Sequence, residues 1–251
     1  MLQEERDGAT AILTLDNPAR RNALSAPMRR SLGAALERIN ADPAVRVIVL
    51  TGANGVFCSG GDLAGMDVSS LAAGRERFRE SYAMVRLLAK GAKPAIAAVE
   101  GWCAGAGVGL ALCCDTVVAA EGARFMLPFV KVGLIPDFGL FHTLPLRVGA
   151  GRARQMMLYG EAVDAMRAEQ IGLADHLVPT GTALSAALKR AKQLAALAPQ
   201  SLAFIRHRLA EGLDAALDWE RETQSALYLT ADHVEGRTAF LEKRTPVFKG
   251  S

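Results

Sequence analysis

An α/β core followed by a helical C-terminal section is the fold class this sequence predicts. Three observations carry it. Apolar runs of strand length alternate with helical patterns through the first half of the chain. Helical patterns dominate from about residue 182 onward. Two of the apolar runs end in glycine-rich turns.

Residues 9–15 alternate towards Ile12, Leu13 and Leu15 and read as a strand, ended by Asp16-Asn17-Pro18. A polar loop leads to a helix from about Pro27, with Ser25 or Ala26 near its cap and Leu32, Leu36 and Ile39 on one face. Asp42-Pro43 stops it. Residues 45–51 form a continuous apolar run, the pattern of a buried strand, and run into Phe57-Cys58-Ser59-Gly60-Gly61-Asp62-Leu63. Residues 66–74 read as a polar loop able to cover a site, and 75–90 as a helix with Phe78, Tyr82, Val85 and Leu88 on a face.

A second strand, 94–99, leads to Gly105-Ala106-Gly107-Val108-Gly109, which opens a short helix to about Cys114. Residues 116–119 and 124–126 are extended. Residues 138–146 read as a helix ending near Pro145. Further helices cover 151–159 and 165–171, and 176–179 is a short strand. The remainder is helical, with breaks near Pro199 and Gly212-Leu213-Asp214. Residues 1–195 are expected to form the core and 196–251 a C-terminal helical region.

Composition narrows the function. Apolar residues make up 51% and charged residues 22%, as in a globular protein with a sizeable core. The net charge of +3 does not suggest a nucleic-acid partner, although arginines cluster at Arg20-Arg21 and Arg29-Arg30, which suits a small anionic ligand. Cys58, Cys103, Cys113 and Cys114 make neither a disulfide framework nor a metal-ligand set, and read as buried thiols in a reducing compartment. The charged N-terminus lacks a signal-peptide core and no run would span a membrane. A cytoplasmic location without membrane association is expected.

Two strands that each end in a glycine-rich turn are able to aim two backbone N–H groups at one oxygen. That is the form of an oxyanion hole, in which one donor is worth roughly 3–4 kcal/mol. Tight turns packed for backbone reasons would leave the same pattern. The spacing argues against a dinucleotide fingerprint, because Leu110 stands where the last glycine of G-x-G-x-x-G belongs.

Four motifs in order, Asn22-Ala23-Leu24-Ser25, the Phe57 to Leu63 turn, Gly101-Trp102-Cys103-Ala104-Gly105-Ala106-Gly107 and Gly133-Leu134-Ile135-Pro136, resemble the enoyl-CoA hydratase/isomerase (crotonase) superfamily. The likeness runs nearly end to end and includes Gly160-Glu161-Ala162-Val163-Asp164-Ala165 and the tail from Phe240 to Phe248. The resemblance implies a crotonase-like spiral of ββα turns closed by a C-terminal helical oligomerisation region, as a homotrimer or dimer of trimers. It implies an acyl-CoA thioester as ligand and no metal or redox cofactor. It places the oxyanion hole at the N–H groups of Gly61 and Ala106, and coenzyme A at Arg20, Arg21, Ala23, Ser59, Asp62 and Leu63, with Phe248 and Lys249 covering it. Arg20 and Arg21 read equally as a solvated charge pair.

The departures from the family bear on the reaction. The positions of its two hydratase glutamates fall on Gly109 and Phe129, neither of which transfers a proton. Asp137 is the remaining acid, at a position resembling that used by some isomerases and by a dehalogenase of the superfamily. As a general base it would contribute about 10²–10⁴-fold in rate. The same residue, before a helix, also reads as a cap. Trp102, Phe129, Phe138 and Phe141 are the expected acyl-pocket residues, and apolar walls would raise the pKa of Asp137. His142 reads as structural, Glu100 as a strand-end carboxylate, and Cys58 and Cys103 as packing residues.

The leading expectation is therefore double-bond isomerisation through a stabilised enolate with Asp137 as base. The alternatives are hydration by a non-standard acid, nucleophilic chemistry by Asp137 as in aryl-CoA dehalogenation, and non-catalytic acyl-CoA binding. The dehalogenase alternative stands lower because the sequence shows no dedicated aromatic cradle.

Overall fold

The computed structural model describes residues 1–251. The N-terminal half alternates strands and helices: β1 (Leu2–Asp7), β2 (Thr10–Leu15), α1 (Ala26–Ala41), β3 (Val47–Gly52), α2 (Leu71–Lys90), β4 (Ala95–Val99), β5 (Trp102–Ala104), α3 (Ala106–Leu112), β6 (Thr116–Ala120) and β7 (Arg124–Met126). Shorter units follow: α4 (Leu140–Val148), α5 (Ala150–Tyr159), β8 (Ala162–Asp164), α6 (Ala165–Gln170) and β9 (His176–Val178). Four helices complete the chain: α7 (Ala183–Ala195), α8 (Pro199–Leu209), α9 (Leu213–Leu227) and α10 (Ala231–Glu242).

The main sheet has the order β1-β2-β3-β4-β6-β9, parallel except for the β1/β2 hairpin. A smaller sheet has the order β5-β7-β8. Consecutive strands β4/β5 and β6/β7 each give one strand to each sheet, so successive turns of chain stack. This is the crotonase fold.

The continuous apolar run of β3 follows from burial on both faces. Ile48 and Leu50 face the large core together with α1, α2 and α3. Val47 and Val49 face the other way, with Ile96, Ala98, Val118 and Ala120, against Ala183, Ala187 and Ala191 of α7. Those alanines at helical spacing let α7 lie close on the sheet.

Three local expectations are corrected and one strand is added. β1 is a strand despite its charges, because as an edge strand it leaves Gln3, Glu4, Glu5 and Arg6 exposed. The polar loop expected over 66–74 is shorter: α2 starts at Leu71, its first turn capped by the Ser70 hydroxyl on the Ala73 N–H (3.2 Å). The helix expected to end near Pro145 continues to Val148 with Pro145 inside it. The C-terminal helices also break at 228–230, where Thr230 caps α10 on the His233 N–H (3.2 Å).

Candidate active site

The two glycine turns lie side by side. The Cys58 N–H donates to Trp102 O (3.0 Å) and the Ala104 N–H donates to Cys58 O (2.8 Å), a parallel bridge between Cys58 and Cys103. The approach excludes side chains. Gly60 has φ 98°, and a Cβ there would stand 2.8 Å from Ala104 O. A Cβ on Gly107 would stand 2.7 Å from Cys58 O. Gly61 bridges to Leu24 through the neighbouring Gly60 O, which accepts the Leu24 N–H (2.8 Å), so the Gly61 N–H itself is not used by that bridge. Ala106 is the first residue of α3, whose N–H has no intrahelical acceptor. Both residues line one cavity of about 810 Å³, a size suited to a ligand larger than a metabolite fragment.

The loop before α1 is stapled to the first turn. Asn22 is buried, and its amide donates to Ala53 O (3.0 Å) and Val56 O (2.7 Å) while its oxygen accepts the Asn17 N–H (2.8 Å). Arg20 pairs with Asp62, and the Ser59 hydroxyl donates to Arg20 O (3.0 Å). Arg20, Arg21, Ala23, Ser59, Asp62 and Leu63 all stand in the cavity wall. The two arginines are exposed at its edge.

Phe248 and Lys249 are not in that wall. Asp232 hooks the tail back onto α10, accepting the Lys249 N–H (2.7 Å) and the Gly250 N–H (2.8 Å), while Glu235 accepts the Val247 N–H (2.9 Å). The tail residues in the wall are Lys243, Arg244 and Pro246. Trp102, Phe129 and Phe138 line the cavity, but Phe141 does not; its ring packs edge-on against Trp219 (centroids 5.0 Å).

Asp137 is in the cavity wall and 5% exposed. It does not cap α4. The cap position is Gly139 at φ 79°, after Phe138 at φ 59°, and no side chain caps that helix. The Asp137 carboxylate accepts instead from Gln224 of α9, Nε2 to Oδ2 3.2 Å, and its Oδ1 has no partner. Burial pushes its pKa up to about 7, opposed by the Gln224 hydrogen bond and by the charges of Arg77 and Arg29.

Gly109 and Phe129 bear on the same end of the cavity. A Cβ on Gly109 would stand 2.5 Å from the Phe138 Cβ and 3.4 Å from Asp137 O. Phe138 thus fills the room a side chain at 109 would need. The Phe129 ring reaches Gly105, its Cζ 3.7 Å from where a Cβ would be. The cavity also has more aromatic wall than the sequence suggested. Phe78, Phe129, Phe138 and Tyr228 all line it, and Phe78 stacks on Tyr228 (5.9 Å).

Behind Asp137, α9 grips the 135–141 segment at two places. Gln224 accepts the Ile135 N–H (3.0 Å) and donates to Ile135 O (2.8 Å). Glu220, fully buried, accepts from the Gly139 N–H (2.9 Å), the Phe141 N–H (3.2 Å) and the Tyr82 hydroxyl (3.1 Å). Burial drives the Glu220 pKa up to about 8 against those donors. Sequence reading missed this pair. Its signal was present: Leu213, Leu217, Glu220 and Gln224 make one helical stripe, so the two polar residues continue a buried face.

The remaining residues are placed elsewhere. Glu100 accepts the N–H groups of Gly181 and Ala183 (3.0 Å each), tying down the start of α7 away from this cavity. His142 packs beside Gly212. Cys58 and Cys103 are fully buried, and burial pushes the Cys58 thiol up to about 12, the opposite of a nucleophile.

A crotonase fold with a cavity between two glycine turns defines a class, and comparison with known proteins gives the family. The profile of the enoyl-CoA hydratase/isomerase family matches residues 5–251. The chain is 40% identical to 2,3-dehydroadipyl-CoA hydratase of Escherichia coli over 249 residues, covering 98% of this chain and 97% of that one. It is 38% identical to 1,2-epoxyphenylacetyl-CoA isomerase of the same organism, covering 95% and 94%. Among solved structures it superposes on an enoyl-CoA hydratase from Mycobacterium avium subsp. paratuberculosis with a TM-score of 0.89 at 33% identity, covering 99% and 98%. The protein belongs to the enoyl-CoA hydratase/isomerase family, whose members act on acyl-CoA thioesters. No helix is long and apolar enough to cross a membrane.

Proposed function

We propose that the protein is an acyl-CoA double-bond isomerase in which Asp137 moves a proton between carbons of an enolisable thioester. The thioester oxygen lies between the N–H groups of Gly61 and Ala106, which stabilise the enolate formed when Asp137 removes a proton from carbon. The proton then returns at another carbon. The observation that carries this reading is the Asp137 carboxylate itself. It is buried in the wall that both N–H groups share, has one oxygen free, and has a pKa lifted to about 7, near the value a general base needs at neutral pH.

The test is activity and solvent deuterium exchange at carbon across enoyl-CoA and arylacetyl-CoA thioesters, for the wild type, Asp137→Asn and Asp137→Ala. A loss of about 10²–10⁴-fold in both reactions is expected. Full activity and exchange in both variants would refute the base.

Hydration is the second reading, favoured by the 40% identity to a hydratase. With Gly109 and Phe129 at the glutamate positions, Asp137 would have to activate the water as well. Hydroxyacyl-CoA formed faster than the isomerised enoyl-CoA would select it. The oligomer belongs to the same reading. Phe204, Ile205, Leu209 and Phe240 are exposed apolar residues of α8 and α10, which supports association as a trimer, measurable as mass in solution.

A further inference from the structure

The cavity holds two kinds of cation. Arg20, Arg21, Lys131, Lys243 and Arg244 are exposed at its edge. Arg29 of α1 and Arg77 of α2 are inside: Arg29 is 5% exposed and Arg77 is half-buried. Both share the cavity wall with Asp137, Phe78 and Tyr228, which is the inner end, and their charges act on the Asp137 carboxylate.

No carboxylate pairs with either inner guanidinium. Arg29 Nη1 donates to Leu24 O (2.8 Å), and its buried Nε has no partner. Arg77 Nη1 donates to Gly65 O (3.2 Å), and the same side chain reaches the Tyr228 hydroxyl. Burial and Arg77 lower the pKa of Arg29 to about 10, which leaves it charged at neutral pH. The groups around it are Arg77, Arg30, Tyr228 and the exposed Glu80, with Asp137 in the same cavity wall. A buried cation without an anion costs several kcal/mol, and an apolar acyl tail would leave that cost in place. A carboxylate brought by the ligand would remove it and would also accept from the free Nε.

We propose that the inner end of the cavity is a carboxylate subsite, in which Arg29 and Arg77 receive the far carboxylate of an ω-carboxyacyl-CoA. The substrate class is then the monothioesters of dicarboxylic acids. This rests on the reading of the cavity as an acyl-CoA site. The unpartnered Nε of Arg29, with Arg77 in the same wall, supplies a donor for an anion, whereas the edge cations suit the phosphates of the coenzyme.

The test uses saturated thioesters, so that binding is read without turnover. Butanedioyl-, hexanedioyl- and octanedioyl-CoA are titrated calorimetrically into the full chain beside butanoyl-, hexanoyl- and octanoyl-CoA. A charge-assisted contact predicts about 10- to 150-fold tighter binding of at least one dicarboxylic thioester than of its methyl-ended counterpart. In Arg77→Met that ratio falls to within about threefold of one, because a methyl-ended chain gains nothing from the guanidinium, whereas loss of its contacts to Gly65 O and Tyr228 acts on both series alike. Arg77→Lys keeps a charge and retains part of the ratio, which separates loss of the contact from loss of the fold.

Equal or tighter binding of the methyl-ended series at every length would overturn the subsite. So would an Arg77→Met variant that weakens both series alike, since that assigns the guanidiniums to holding Asp137 ionised. Binding of none of the six thioesters nor of free coenzyme A would instead overturn the acyl-CoA site itself.

Discussion

Replacing Gln224 by methionine probes the tuning of Asp137 without touching the carboxylate. The wild-type amide donates to Asp137 Oδ2 at 3.2 Å, and this hydrogen bond is the strongest influence holding the Asp137 pKa down against burial. Methionine has nearly the same length and no donor. A hydrogen bond to a charged group is worth about 1.5–3 kcal/mol, and 1.4 kcal/mol corresponds to a tenfold change in a proton equilibrium. The pKa of Asp137 therefore rises from about 7 to between roughly 8 and 9. A base works when deprotonated, so activity increases with pH through that value. The acid limb of kcat/KM, read in the free enzyme, moves to higher pH by the same amount, and the rate at neutral pH falls about 5- to 50-fold, since the wild-type carboxylate is already half protonated there. The substitution also removes the two Gln224 bonds to Ile135, so the plateau at high pH is retained to the extent that Glu220, through the Gly139 and Phe141 N–H groups, keeps the 135–141 segment in place. Activity recorded from pH 5 to 10 for both proteins checks this. An acid limb at the same pH in the variant would refute the reasoning, because either Asp137 is not the base or Gln224 does not tune it.

Three further outcomes follow from the same site and its supports. Gly109→Glu does not install a hydratase acid: its Cβ meets the Phe138 Cβ at 2.5 Å, and overpacking of this kind costs about 1–3 kcal/mol before the buried charge is counted, read as a lower denaturation midpoint. Asp137→Asn stabilises the protein at pH 8 but not at pH 4. Between the ordinary value of 3.8 and the folded value of about 7 the native state binds more protons than the unfolded one, so wild-type stability falls as pH rises, by on the order of 4 kcal/mol across that window, and the neutral amide removes the slope. Urea unfolding at the two pH values measures it. Arg206→Met destabilises by about 3–5 kcal/mol in the same assay, because Arg206 is 5% exposed, pairs with both Asp115 oxygens (2.8 and 2.7 Å) and also donates to Leu88 O (2.6 Å).

The parts of the fold that could be read in the sequence are those fixed by local chemistry. The strand from 47 to 52 is apolar on both faces because both faces are covered, and the glycines after it mark where backbone meets backbone. β1 was not legible, since an edge strand exposed on both faces from Gln3 to Arg6 carries the charges of a loop. Asp137 shows the limit most clearly. Locally it is an acid before a helix, which reads as a cap. Its actual partner is Gln224, 87 residues later, and the turn through Phe138 and Gly139 that separates it from α4 has no simple local signature. The family resemblance marked the position, but the reason it is buried with one oxygen free lies in α9. Phe141 shows the reverse error: the cavity-lining Phe138 stands before α4 at φ 59°, outside the helical repeat, whereas Phe141 lies within α4 and faces Trp219.

The Cys58–Cys103 bridge has a consequence for how such a protein diversifies. It fixes the spacing of the Gly61 and Ala106 amides chiefly through main-chain hydrogen bonds, the one side chain in the turn being the buried Cys58 thiol, whose Sγ accepts the Gly60 N–H (3.4 Å). Side chains such as Phe129, Trp102, Arg29 and Arg77 are then free to be exchanged without disturbing the register of those amides. One half of the site is written in the path of the chain and the other in its side groups, and the two are able to drift independently. Substitutions that alter which acyl group is accepted need not first be compatible with the geometry that holds the thioester oxygen.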